Sequence, residues 1–264
     1  MGTQYSVHNY PKSRIGTFDV GRISQSRHQV IGLVEADVTV AREKISRLKK
    51  SNSPVSFTSW VIKCIGDTVH INPLIHGVKK GKRKIITFDQ VDVSIIVERE
   101  INSVPVPVPY IIRDVNNKSV SEIHGEIKIA REQLIRDEGD YVLGKSGNRI
   151  MMRFYYALPG PVRRLAWKII LASPGLVKKM MGTVVVSSVG NVGSIKGWIV
   201  PKSLHPLCFA ISPAIKKPGV VNDEILIREY LPITVLIDHD VIDGSPAVRI
   251  INQLIHFMEN AHLL

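Results

Sequence analysis

The stretch "LIDHDVIDGSPAVRII", residues 236–251, changes character in its middle. It closes the β-branched run "LPITVLID" that begins at residue 231, which reads as a buried strand. It then opens a helix. Ser245 suits the N-cap and Pro246 the first turn, and Val248, Ile251, Ile255 and Met258 follow as an apolar stripe. The turn between them carries His239, Asp243 and Gly244. A histidine at a strand end, aimed into a cleft, can act as a general base because its ordinary pKa lies near neutrality. An aspartate four residues on can pin the turn, through an arginine or through backbone N–H groups. Gly244 lets the chain turn into the helix without a Cβ clash.

Working outward, strands and helices alternate. "HQVIGLVEADVTV" (28–40) reads as a strand and "AREKISRLKK" as a basic helix. "PVSFTSWVIKCIGDTVHIN" reads as a helix opening near Pro54 and Ser56, with Trp60, Cys64, Ile65 and Val69 at helical spacing. "LIHGVKKGKRKIITFDQVDVSIIVE" reads as two strands joined by a basic turn. "VPVPVPYIIRDV" holds too many prolines for a central ladder and reads as an extended or edge segment. Ser119 and Glu122 form a capping box ahead of a helix with apolar Ile123, Ile127, Ile129 and Leu134. A helical insertion between prolines follows, then "TVVVSSVG", "LCFAISPA", "EILIREY" and "PITVLIDHDV" as strands.

The composition supports a sizeable core, with 44% hydrophobic residues in 264. Cys64 and Cys208 have no CxxC spacing and read as buried free thiols of a reducing, cytoplasmic compartment; no metal site is expected. No apolar run has the length of a membrane span. The net charge of +12 is unevenly spread. From Lys145 to Met181 there are eight basic residues and no acid, and "KKGKRK" (79–84) is a second basic knot. Such patches suit phosphates, anionic membranes or nucleic acid. Aromatic residues make up only 6% and do not interleave with the lysines, so no nucleic-acid partner is expected.

The His-x-x-x-Asp-Gly turn after "LPITVLID" resembles the catalytic motif of the 2-oxo acid dehydrogenase acyltransferase (E2) family, to which chloramphenicol acetyltransferase is more distantly related. "GTVVVSSVGNVG", "YIIRDVNNKSVSEIHGEI", "SFTSWVIKCIGDTVHINPLIHG" and "GRISQSRHQVIGLVEADVT" are similar to further family segments, so the resemblance spans about residues 14–262. It implies an α/β (α+β) chloramphenicol acetyltransferase-like two-layer sandwich, a mixed sheet with helices on one face. Residues 1–15 would be an N-terminal arm and 16–264 the catalytic domain, with a basic helical insertion at about 145–181.

The resemblance implies that His239 takes a proton from the thiol of coenzyme A or dihydrolipoamide, and that Ser187 donates a hydrogen bond to the tetrahedral oxyanion. Ser188 is the alternative one residue on. Asp243 would hold the loop by pairing with an arginine, Arg22 or Arg14. Homotrimers or larger assemblies of trimers are implied, with histidine and serine meeting across the subunit boundary. The sequence shows no Asp-Lys-Ala lipoylation site, so a lipoyl group would come from another, lipoyl-bearing protein.

The sequence also departs from the family. Asp240 stands where an arginine usually follows the histidine, an added anion expected to favour the imidazolium form. "NSVPVPVPYII" replaces a glycine-containing strand. The basic insertion can pack over the active-site channel or dock on an anionic membrane or a partner. These departures leave a second expectation open: a catalytically inactive trimeric scaffold or regulatory subunit of the same fold.

Overall fold

A computed structural model of the chain describes residues 3–7, 14–101, 104–132, 154–188 and 195–264. Leu134 and the first part of the basic insertion, including Lys145, Arg149 and Arg153, lie outside the described residues.

The helices are α1 (Arg14–Ser24), α2 (Thr39–Lys50), α3 (Phe57–Ile71), α4 (Val120–Glu132), α5 (Gly160–Ala172), α6 (Pro174–Met181) and α7 (Gly244–Glu259). The strands are β1 (Gln29–Asp37), β2 (Val78–Lys80), β3 (Lys84–Ile86), β4 (Val93–Ile101), β5 (Val104–Ile112), β6 (Val184–Ser188), β7 (Leu207–Ile211), β8 (Ile215–Val221) and β9 (Glu224–Asp238). Arg14 and Ile15, read as part of an arm, belong to α1.

The main sheet has seven strands in the order β1-β9-β7-β6-β4-β5, with β8 also paired to β9. It is mixed: β4–β6 and β6–β7 are parallel and the other pairs antiparallel. Trp60 and Ile65 of α3, Ile123 of α4 and Ile251 and Leu254 of α7 pack in one core with Val93, Val186, Phe209 and Val235 of the sheet. Alternation puts Val185, Cys208 and Leu236 on the opposite face as a separate small cluster. Ile31, Leu33 and Ile96 share that second face and are exposed. A third cluster joins α1, α5, α6 and β2 through Val20, Trp167, Val177 and Val78. The two-layer sandwich with one helix-covered face is therefore present.

Local chemistry explains most of these elements. Ser56 caps α3 through the Ser59 N–H at 3.1 Å, and Ser119 and Glu122 close the box on α4 at 2.8 and 3.2 Å. The prolines of β5, at 105, 107 and 109, all lack the N–H on the same side of the strand. β5 pairs with β4 and ends the sheet, so those gaps fall on the open edge.

Four expectations need correction. "KKGKRK" joins β2 to β3 in a small sheet of its own, and β4 is a separate strand. "IKKPGVV" forms β8, which the alternation did not reveal. β9 is one strand of 15 residues, not two. Pro232 is tolerated inside it because its carbonyl accepts from the Ser212 N–H, so its nitrogen faces the gap between the β8 and β7 ladders. Last, α7 begins at Gly244 with Asp243 as its N-cap, and Val248 and Ile129 are exposed rather than core residues.

The base of β6 is built from the "RDVNNK" segment. Arg113 donates to Asp92 Oδ2 at 2.8 Å and to the carbonyls of Lys178 and Lys179 at the end of α6. The Asp92 carbonyl accepts from the N–H groups of Thr183 and Val184, each at 3.3 Å. Gly182 links the two with φ 72°, and a Cβ there would lie 2.8 Å from the Asp92 carbonyl oxygen. His76 Nδ1 meets Thr183 Oγ1 at 2.7 Å, and His205 Nε2 meets the Met181 carbonyl at 2.9 Å.

Burial pushes the pKa of His76 down from 6.5 to about 4, and does the same to His205. Both rings are neutral in the fold, whereas the unfolded chain protonates them below about pH 6.5. Between that pH and about 4 the unfolded state binds more protons, so stability falls as pH falls. From pH 7 to pH 5 we expect a loss of roughly 2 kcal/mol for each histidine. His76 is fully buried. Urea unfolding at the two pH values checks this, with a shallower slope in His76→Gln; equal wild-type stability at both would contradict it.

Candidate active site

β9 delivers His239 to the end of the sheet beside the start of β1. The His239 N–H donates to the His28 carbonyl at 2.7 Å, one step beyond the Gln29–Asp238 pair. The turn is held by its buried neighbours, Asp238, Val241 and Ile242. Asp238 Oδ2 accepts from Arg27 Nη1 at 2.9 Å, and its Oδ1 accepts from the Asp240 N–H at 3.1 Å. Arg27 Nη2 reaches the Leu204 carbonyl at 2.9 Å. A buried carboxylate needs such a partner, and losing one member of the pair strands the other. Arg27→Met is therefore expected to cost roughly 3 kcal/mol and to loosen the His239 turn. Denaturant unfolding reads the first effect; an unchanged midpoint would contradict it.

This arrangement differs from the expectation for Asp243. Its side chain is 86% exposed, and His239 Nδ1 lies 3.9 Å from its carboxylate. Arg22 lies over the Phe18 ring, 5.5 Å from the centroid, rather than against Asp243. Among the described residues, Arg27 and Asp238 form the ion pair that holds this loop. Gly244 also differs from its expected role. A Cβ there would meet nothing within 4 Å, so nothing among the described residues requires glycine.

Asp240 is taken up by neighbours on both sides: His28 Nδ1 at 3.1 Å and Lys79 Nζ at 3.1 Å. Bonds from His28 and then Lys79 hold its carboxyl below the usual range. Lys79 opens the basic hairpin, so that hairpin lies beside the His239 turn. Gly77 allows the fit: a Cβ would fall 2.7 Å from Ile85 Cγ2 and 3.0 Å from Val241 Cγ1.

Ser187 sits near the end of β6, half-buried, on the face of Val185, Cys208 and Leu236. Ser188 points to the other face. Ser187 is in register with Ala210, and Ala210 with Thr234. His239 follows Thr234 by five residues along β9. Strand spacings put the two residues roughly 20 Å apart, at opposite ends of the sheet. One copy of the chain cannot bring Ser187 and His239 to the same reacting carbonyl.

A model of the 2-oxoacid dehydrogenases acyltransferase catalytic domain matches residues 22–137 and 178–264. The chain belongs to this acyltransferase family. The matched blocks contain His239, Ser187 and the "RDVNNK" segment, and they pass over 138–177, which holds α5. No curated sequence matches the chain.

Among solved structures, the chain is similar to the Azotobacter vinelandii dihydrolipoamide acetyltransferase, 16% identical with a TM-score of 0.68, covering 97% of this chain and 92% of that one. In that enzyme a serine, a histidine and an asparagine have been investigated for their role in the catalytic mechanism; the serine precedes the histidine by 52 residues and the asparagine follows it by four. The cubic core of a pyruvate dehydrogenase multienzyme complex gives 17% identity and a TM-score of 0.67, covering 97% and 92%. A chloramphenicol acetyltransferase gives 13% and 0.51, covering 96% and 95%. At these identities the likeness establishes the acyltransferase fold.

Arg27, Asp238 and Lys79 were missed from the sequence as site residues. Asp238 carried a signal, an acid closing an apolar strand, which demands a buried partner. Its partner lies 211 residues away and is set by the β1–β9 register, which no local pattern encodes.

Proposed function

We propose that the chain transfers acyl groups between coenzyme A and a thiol such as that of dihydrolipoamide, in a site completed by two copies of the chain. The observation that carries this is an interval. Ser187, His239 and Asp243 are spaced by 52 and four residues, as are the serine, histidine and asparagine of the Azotobacter enzyme. Asp243 stands where that enzyme has asparagine, the same shape with a carboxylate in place of an amide.

In this mechanism the His239 imidazole takes the proton of the attacking thiol. The sulfur attacks the thioester carbonyl, and the resulting oxyanion accepts a hydrogen bond from Ser187 of a second copy. The intermediate collapses, the C–S bond to the first carrier breaks, and the imidazolium returns its proton to the departing thiolate. The separation of Ser187 from His239 within one chain supports the two-copy site. The exposed apolar Ile31, Leu33 and Ile96 on the Ser187 face supply surface for such an association. A trimer, alone or as the unit of a larger core, is the arrangement we favour.

The inactive-scaffold reading rested partly on Asp240, and its pairing with Lys79 and His28 weakens that ground. The free, buried Cys64 and Cys208 fit a reducing, cytoplasmic setting. Burial pushes the Cys208 thiol up to about 12, so it is no rival nucleophile.

The test is thiol release from acetyl-CoA and longer acyl-CoAs with dihydrolipoamide as acceptor. Turnover supports the proposal; failure with every donor favours the scaffold. A Gly244→Ala protein adds a finer check. Alanine in the first turn of α7 should leave the melting temperature unchanged or slightly higher. If substrate or a second copy closes over Gly244, kcat/KM should fall about tenfold or more. Full activity in that variant would leave the glycine without a role at the site.

A further inference from the structure

α1 and α5 border an open cleft of about 480 Å³ lined by Arg22, Ser26, Arg27, Arg164, Lys168 and Leu171. Four of these are cations and none of the lining residues is acidic. Arg27 is neutralised by Asp238. Arg22, Arg164 and Lys168 have no ion-pair partner among the described residues. The contrast within α5 is sharp. Arg163 is engaged by the fully buried Asp19 at 2.6 Å, which also accepts from Tyr155 at 2.8 Å. This network, with Trp167 bonded to Tyr155 at 2.9 Å, fixes α5 against α1. The next residue, Arg164, is left for the cleft.

Helix ends account for Arg22 alone among these cations. Arg22 lies in the last turn of α1, where a cation is favourable. Arg164 lies near the start of α5, where the positive end of the helix disfavours it, and the first turn holds no acid. Like charges held together between apolar walls, here Ile23, Leu171 and Ala172, raise one another's energy unless an anion joins them. Two guanidinium forks and an ammonium suit the several oxygens of a phosphate better than a single carboxylate. The family model passes over α5, so Arg164, Lys168, Leu171 and Ala172 of the cleft lie outside the residues it matches.

We propose that the cleft binds the phosphate group of a small molecule, a phosphomonoester or a diphosphate. Arg27 connects it to the catalytic turn, since one side of Arg27 lines the cleft and the other holds Asp238, the residue before His239. The phosphate therefore belongs either to the acyl donor itself or to a separate ligand that acts on the turn.

The probe is inorganic pyrophosphate, titrated calorimetrically into the whole protein at fixed ionic strength. Wild type is compared with R164Q/K168Q and with a hairpin control, K82Q/R83Q. Melting curves establish that both variants fold. We expect wild-type binding, a dissociation constant raised tenfold or more in R164Q/K168Q, and little change in the hairpin control. Absence of wild-type binding, or loss confined to the hairpin variant, would overturn the proposal. A second readout separates the sources. Pyrophosphate that raises KM for acyl-CoA in wild type, and not in R164Q/K168Q, assigns the cleft to the donor's phosphates. Binding that leaves KM unchanged assigns it to a separate phosphorylated ligand. The calorimetric result does not depend on acyl transfer, so it stands apart from the fate of the proposed activity.

Discussion

A His239→Ala protein is expected to lose roughly three orders of magnitude in kcat, with much smaller changes in KM. The magnitude follows from what the imidazole does. A free thiol has a pKa near 8.5, so at neutral pH only a few per cent is thiolate, and the base must create the nucleophile as the bond forms. The substrates should still bind without it, because no contact with phosphate or pantetheine is assigned to the ring. A further signature separates lost chemistry from a lost fold. In the variant the rate should climb about tenfold per pH unit towards the pKa of the acceptor thiol, since solution deprotonation then replaces the base. A merely misfolded protein would show no such climb. The turn itself should survive, because it is held by Asp238, Arg27, Val241 and Ile242 rather than by the half-exposed imidazole. A variant with full wild-type activity would remove His239 from the mechanism.

Ser187→Ala is expected to lower kcat by about 10²- to 10³-fold, the usual effect of removing one donor to an oxyanion. Its hydroxyl would meet charge that exists only in the transition state, so KM should barely move. The alternative, Ser188, provides an internal control. Successive strand residues face opposite sides, and Ser188 lies on the side of Val184 and Val186. Ser188→Ala should therefore leave kcat within a few-fold of wild type. The reverse pattern, a large loss in Ser188→Ala and a small one in Ser187→Ala, would move the oxyanion donor one residue along β6.

The elements most legible in the sequence are those whose cause is local. The proline spacing of β5 announces an edge strand, and β5 ends the sheet. The Ser119–Glu122 box announces α4, and both its hydrogen bonds are present. The strand–turn–helix junction at His239 is likewise where the sequence places it. Features set by distant partners were not legible. Pro232 appeared to end a strand, because only the gap between the β7 and β8 ladders makes it tolerable there. Ser245 looked like a cap, but the helix starts at Gly244. Asp243 appeared to need an arginine, whereas the buried acid of the turn is Asp238, and Arg27 reaches it through the β1–β9 register. Asp240 looked like a liability beside the base until the β2–β3 hairpin brought Lys79 to it. Spacing in the chain suggested which residues take part, but only the sheet register shows that Ser187 and His239 cannot meet within one copy.

The central claim is that each active site draws His239 from one copy and Ser187 from another, and subunit mixing tests it most directly. His239→Ala and Ser187→Ala chains, each nearly inactive alone, would be co-expressed in equal amounts and purified as mixed oligomers. A site shared between neighbours pairs an intact histidine with an intact serine in roughly one case in four, so activity should recover to about a quarter of wild type. Mixed oligomers no more active than the two parents would contradict the account, because each site would then draw both residues from a single chain.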